Sequence, residues 1–261
     1  MNALLAALPE EERRRLAPHL KTRPLKLRET LHKNGQPIRE VFFPGRCLVS
    51  ITHAMEDGGM LEVATVGHEG IVGVGAILGD SIAAGEAFIQ VQGDPAQVLP
   101  IEIFHEEMAR GGAFHDAVSR YGRAFMLLIM QSVACNGLHS AEERCCRWLL
   151  MTHDRVGVDE FALTHEFLAM MLGVRRPTVT LVLTGLNKAG ILSYVRGRMR
   201  ITDRRRLESA SCECYRQARL IFQRVLPWQS LGTPLATFHA RGGDLPAPIM
   251  ERMSDVSRKP E

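Results

Sequence analysis

The sequence predicts an α+β protein built from an N-terminal β-roll, a long helix, and a C-terminal helix-turn-helix carrying a β-hairpin wing. Three observations predict it. From about residue 23 to 104, short apolar runs alternate with Gly, Pro, Asp and Asn turn signals. From 114 to 139 the apolar period changes to alternating steps of four and three. Beyond 162, helix, tight turn, helix and hairpin patterns follow in that order.

Residues 9 to 20, "PEEERRRLAPHL", read as a lead-in helix, with Pro9 early and Glu10 to Glu12 in the first turn, where carboxylates suit the helix dipole. The β-like pieces "EVFFPG", "CLVSITHA", "LEVATV", "AFIQVQ" and "AQVLPI" come next, spaced for a small barrel or roll. In the long helix, Phe114, Val118, Tyr121, Phe125, Leu128, Ser132, Cys135 and His139 trace a coiled-coil seam, from which a dimer interface is expected. Met126, Ile129, Met130 and Val133 widen its apolar surface, so one flank can pack on the roll and another on a partner. Another helix, "AEERCCRWLLMT", and a loop with a short strand lead into the helix-turn-helix. The expected boundaries are 1–112, 113–140, 141–226 and a Pro- and Gly-rich, loosely ordered tail at 227–261.

Composition limits the function classes. A chain of 261 residues, 46% hydrophobic and 23% charged, suits a two-domain globular protein, and no apolar run approaches the ~18 residues of a membrane span. The start has no basic n-region and no cleavage site, so a cytoplasmic protein without membrane association is expected. Six cysteines at irregular spacing are expected to stay reduced. The net charge of +3 is unevenly spread. Residues 144 to 224 hold fifteen Lys/Arg against seven Asp/Glu, whereas the rest holds seventeen against twenty-two. A basic C-terminal part fits a polyanionic partner, double-stranded DNA. No GxSxG, HExxH or P-loop pattern is present, and no catalytic residue is expected.

The chemistry concentrates in "THEFLAMMLGVRRPTVTLVLTGL". Thr164 suits an N-cap, Gly173 a left-handed turn, and Val179, Val182, Leu183 and Leu186 a buried stripe. Arg175, Arg176, Thr178 and Thr180 fall on or near the outer face. Pro177 is tolerated in a first turn, where its missing N–H has no intrahelical partner, so it marks a helix start. DNA-reading helices present their N-terminal residues to base edges, and the arginine fork matches guanine O6 and N7. Arg176 is therefore the leading base reader. Thr178 and Thr180 suit a phosphate or base edge, and Arg196, Arg198 and Arg200 line a wing turned at Gly197.

The stretch from 162 to 208, containing "LTHEFLAMMLGVRRPTVTLVLTGLNKAGILSYVRGRMRITDRRRLE", resembles the winged helix-turn-helix of the Crp/Fnr family of bacterial transcription regulators, and the order of parts is similar from about 10 to 220. The resemblance implies a cyclic-nucleotide-binding-like sensor roll, a dimerisation helix, and a homodimer on a palindromic DNA site, with RNA polymerase as a further partner if the protein activates. It implies that Arg176 reads a guanine. Pro177 and Leu181 stand where many members carry a glutamate and a second arginine, so the family's usual half-site is not carried over.

Members that bind cyclic AMP carry a Gly-Glu pair and an Arg-Ser/Thr-Ala run. Gly73-Val74 and Gly85-Glu86-Ala87 stand there instead, and a glutamate in place of the anion-binding arginine repels a phosphate, so cyclic AMP is not the expected cofactor. "GHEGIVGVGAILG" misplaces the third glycine of a dinucleotide fingerprint and reads as roll turns. With no cysteine before Cys47, an N-terminal iron–sulfur cluster is not expected either. An alternative is a metal- or redox-responsive regulator using Cys145, Cys146, Cys212 and Cys214, provided that the two pairs meet in space.

Overall fold

The computed structural model describes residues 1–56 and 58–225; the expected tail at 227–261 lies outside them. The apolar start forms a short helix, α1 (Ala3–Ala6), because Asn2 caps it: its Oδ1 accepts from the Leu4 and Leu5 amides, and its Nδ2 donates to the Pro44 and Gly70 carbonyls. Helix α2 (Glu10–Leu16) begins directly after Pro9 and is shorter than expected. Its Glu12 carboxylate accepts from the amides of Ala113 (2.9 Å) and Phe114 (2.7 Å), capping from a distance the long helix that starts there.

The roll consists of β1 (Lys21–Arg23), β2 (Thr30–His32), β3 (Glu40–Phe43), β4 (Leu48–Ala54), β5 (Met60–Val66), the short helix α3 (Val74–Ile77), β6 (Glu86–Val91) and β7 (Ala96–Pro100). All pairings are antiparallel, in two sheets of order β1-β7-β3 and β2-β6-β4-β5. Val41, Phe42, Phe43, Val49, Ile89, Val98 and Leu99 fill the core. The β pattern ends earlier than expected: Pro100 closes β7, and α4 (Ile101–Arg110) starts at once behind it.

The long helix α5 (Gly112–Leu138) follows, and the seam residues expected to face a second copy pack within the chain instead. Phe114, Val118, Tyr121, Phe125 and Leu128 are buried in the roll's own core, and Cys135 is buried in a cluster of cysteines. Ser132, half-buried, accepts a hydrogen bond from Arg147. The periodicity is real, but the roll uses it. The opposite face carries Met126, Met130, Val133 and Leu138, with 58–81% exposure.

Helix α6 (Ala141–Val156) opens with a reciprocal box: Ser140 Oγ accepts from the Glu143 amide while Glu143 Oε2 accepts from the Ser140 amide. The strand β8 (Glu160–Ala162), helices α7 (His165–Leu172) and α8 (Arg176–Lys188), strands β9 (Leu192–Val195) and β10 (Arg198–Ile201), and helices α9 (Arg204–Ala210) and α10 (Cys214–Val225) complete the described chain. The winged-helix sheet has the order β8-β10-β9. Its core, formed by Trp148, Leu149, Leu168, Val179, Leu183, Leu186 and Met199, is continuous with Leu48, Phe88 and Val91 of the roll. No single helix among the described residues is long and apolar enough to cross a membrane.

Candidate nucleic-acid interface

The chain bends by 108° between α7 and α8, the crossing expected of a helix-turn-helix. Gly173 makes the bend possible. It sits at φ +61°, where side chains are strained, and a Cβ there would lie 2.8 Å from Leu61. Thr164 caps α7, its Oγ1 accepting from the Phe167 amide at 3.2 Å. At the other end of α7, Arg144 donates to the Leu172 carbonyl.

Helix α8 begins as its sequence requires. Arg175 is the N-cap, in extended conformation, and Pro177 occupies the first turn. Val179, Leu183 and Leu186 are buried and Val182 packs beside them. Arg175, Arg176, Pro177, Thr180 and Leu181 face outward, and Thr178 is half-buried. Thr180 already has two partners within the protein, His165 Nδ1 at 2.9 Å and the Arg176 carbonyl at 3.2 Å. Arg176 Nε lies 2.9 Å from Glu166 on α7, and both side chains are well exposed. Such a pair is loose and easily exchanged for a stronger acceptor.

Beside this helix end stands the hairpin of β9 and β10. Val195 faces Arg198, so the turn consists of Arg196 and Gly197 alone, at φ +48° and +78°. Two positive φ values in a two-residue loop match the twist of the strands. Glycine takes this conformation freely, whereas Arg196 is held in it, projecting a guanidinium from the tip. Arg198 and Arg200 lie on one face of β10 and share the carboxylate of Glu160 on β8. Hydrogen bonds from Arg198 and Arg200 hold Glu160 below the usual carboxylate range. The five outward arginines thus belong to one helix end and one wing, with two acidic residues, Glu160 and Glu166, among them.

The cysteines group differently from the expectation. Cys145 and Cys146 are wholly buried in the winged-helix core, and burial pushes the Cys146 thiol up to about 12. Cys212 and Cys214 instead meet Cys135 and His139 at the end of α5. No regular pattern marks this quartet, because its halves are more than seventy residues apart. The clue was the i, i+4 spacing of Cys135 and His139, which the apolar seam absorbed.

A second feature invisible in the sequence joins the two halves. Arg155 on α6 pairs with Glu69 of the roll at 2.8 Å, both side chains buried, and donates to Oγ1 of half-buried Thr65 at 2.9 Å. Trp148 Nε1 donates to Glu62 on β5 at 2.8 Å, and Ser50 contacts both Glu62 and Met171. Phe88 of the roll meets Phe167 of α7 edge-on at 5.7 Å.

Comparison with known proteins agrees with this geometry. Residues 143–210 match the family model described as a Crp-like helix-turn-helix domain. No curated protein matches the sequence. Among solved structures, a CRP-family transcriptional regulator from Thermus thermophilus is similar at 20% identity and TM-score 0.61, covering 72% of this chain and 96% of the other. FixK2 from Bradyrhizobium japonicum is similar at 17% and 0.59, covering 74% and 98%. A CooA mutant from Carboxydothermus hydrogenoformans is similar at 18% and 0.57, covering 80% and 95%. Residues 143–210 are therefore similar to Crp-like helix-turn-helix domains, in a chain whose fold is that of the Crp/Fnr regulators.

Proposed function

We propose that the protein is a sequence-specific, DNA-binding transcription regulator that acts as a homodimer on a palindromic site. The observation that carries this reading is the exposed, arginine-bearing start of α8 beside an arginine-lined wing. In this reading α8 enters the major groove and Arg176 leaves Glu166 for a guanine edge, a bidentate pairing worth roughly 1–3 kcal/mol of discrimination. Arg196 at the wing tip, with Arg198 and Arg200, meets the phosphate backbone, and Arg175, Thr164 and Thr178 position the helix. The exposed Leu181 suits a thymine methyl.

The homodimer is assigned to the outer face of α5. Met126, Met130 and Val133 recur at i, i+4 and i+7 on a 27-residue helix, a seam suited to a second copy and to two half-sites. The 1–112 roll acts as the sensor, the helix at 113–140 as the dimer element and 141–226 as the reader. A cyclic nucleotide does not suit the roll, since Glu86 stands at the start of β6, where its carboxylate accepts from Thr30 Oγ1. RNA polymerase is a partner if the regulator activates, and the protein works in the cytoplasm.

The test is binding to a duplex enriched from a random pool, followed across salt concentrations. A palindromic consensus, a dimer in sedimentation, and an affinity that falls steeply with salt are expected. Binding that is weak, sequence-blind and monomeric would refute the reading.

A further inference from the structure

Cys135 lies in the last turn of α5 and His139 caps it four residues later, so both side chains share one helix face. Cys212 lies on the short link between α9 and α10, and Cys214 opens α10, the helix that packs along α5. The Cys135 and Cys212 sulfurs are 3.5 Å apart, and Cys214 Sγ is 3.5 Å from His139 Nδ1. The four donor atoms all lie within 4.8 Å of one another. Zinc–sulfur bonds of ~2.3 Å and zinc–nitrogen bonds of ~2.0 Å in a tetrahedron set donor atoms ~3.6–3.8 Å apart, so only small adjustments separate these side chains from a coordination sphere.

The surroundings fit as well. Glu213 Oε2 lies 3.1 Å from His139 Nε2, which fixes the proton on that nitrogen and turns the Nδ1 lone pair toward the sulfurs. Gln131 Nε2 donates to Cys214 Sγ at 3.0 Å, a bond that suits a thiolate. The three cysteines are buried as a small cluster of their own.

We propose that Cys135, His139, Cys212 and Cys214 bind one thiophilic divalent cation, zinc, in a tetrahedral site that fastens α10 to the end of α5. Three sulfurs and one imidazole nitrogen select zinc over harder ions and fill all four positions, so the site is structural and holds no reactive water. Binding displaces the remaining thiol protons to solvent and changes no oxidation state. Ser140 and α6 follow immediately after His139, so the ion pins the hinge from which the winged helix hangs.

The experiment uses the full chain, reduced and stripped by a chelator, titrated with Co(II) and then Zn(II). One equivalent of Co(II) should give tetrahedral ligand-field bands with thiolate charge transfer, and Zn(II) should displace it. Cys212→Ser should lose the spectrum, Cys145→Ala should keep it, and His139→Cys should keep one equivalent with stronger thiolate absorption. If Cys212→Ser does not fold, the other two variants still decide. Failure of the reduced chain to take up Co(II), an unchanged spectrum in Cys212→Ser or His139→Cys, or a Cys135–Cys212 disulfide in metal-free protein isolated without air would overturn the proposal. None of the four residues touches the recognition face, so its failure would leave the DNA-binding reading standing.

Discussion

Arg155 and Glu69 lie 2.8 Å apart with side chains 4% and 3% exposed, whereas Arg176 and Glu166 lie 2.9 Å apart with side chains 65% and 60% exposed. The groups and the distance are nearly the same, and the environment reverses their roles. Inside the protein, neither Arg155 nor Glu69 can lose its partner without leaving a charge that water cannot reach, so the pair locks α6 to the roll. On the surface, water and salt screen the attraction, so little holds Arg176 to Glu166, as the proposed base-reading role requires. Burial pushes the Glu69 carboxyl up, yet Arg155, together with His68 and a backbone hydrogen bond, more than offsets this and leaves it below the usual range. The molecule thus separates charges that hold it together from charges it presents.

Breaking the buried pair gives the largest expected effect. Arg155→Met should destabilise the protein by roughly 3–5 kcal/mol in denaturant unfolding, because Glu69 is left uncompensated. The double variant Arg155→Met/Glu69→Leu should recover much of that loss. If the single change cost no more than an ordinary surface substitution, the locking role would be wrong.

The same seam sharpens the comparison through pH. Burial raises the Glu62 carboxyl from 4.5 to about 7, against hydrogen bonds from Ser50 and Trp148. A carboxyl raised in the folded state loses its proton first in the unfolded state. Stability contributed by this group is therefore full below about 4.5 and is lost as pH rises toward 7. Glu62→Gln should flatten the stability profile across that window, read by Trp148 fluorescence during unfolding. An unchanged profile would place the titration elsewhere.

At the surface, effects on stability shrink and effects on DNA grow. Arg196→Ala should leave unfolding within about 0.5 kcal/mol and lower the slope of log affinity against log salt by about one, equally on all sequences. Smallest of all, Glu166→Gln should leave stability nearly unchanged and tighten operator binding by a few-fold at most, because Arg176 no longer has a partner to give up. A loss of binding in Glu166→Gln would mean that the pair positions Arg176 rather than parks it.

The helix-turn-helix was legible in the sequence because its determinants are local. Thr164 capping, Gly173 turning and Pro177 starting a helix act within a few residues, and the buried positions of α8 follow from helical spacing. The outline of the roll was legible for the same reason, through turns and short apolar runs. What the sequence hid was long-range. The α5 seam was correctly spaced, but periodicity cannot tell whether Phe114 and Tyr121 meet the same chain or another. Cys135 and His139 meet Cys212 and Cys214, and Arg155 meets Glu69, only through tertiary packing across more than seventy residues. Glu12 capping α5 is of the same kind.

The central claim is that Arg176 reads a base while the interior, not this residue, carries the fold. Arg176→Ala tests it in one measurement: the ratio of affinities for the selected operator and for random duplex, at fixed salt. The ratio should fall by roughly 5- to 150-fold, the equivalent of about 1–3 kcal/mol, with an unchanged unfolding midpoint. A variant that folds normally and discriminates as well as the parent would contradict the account.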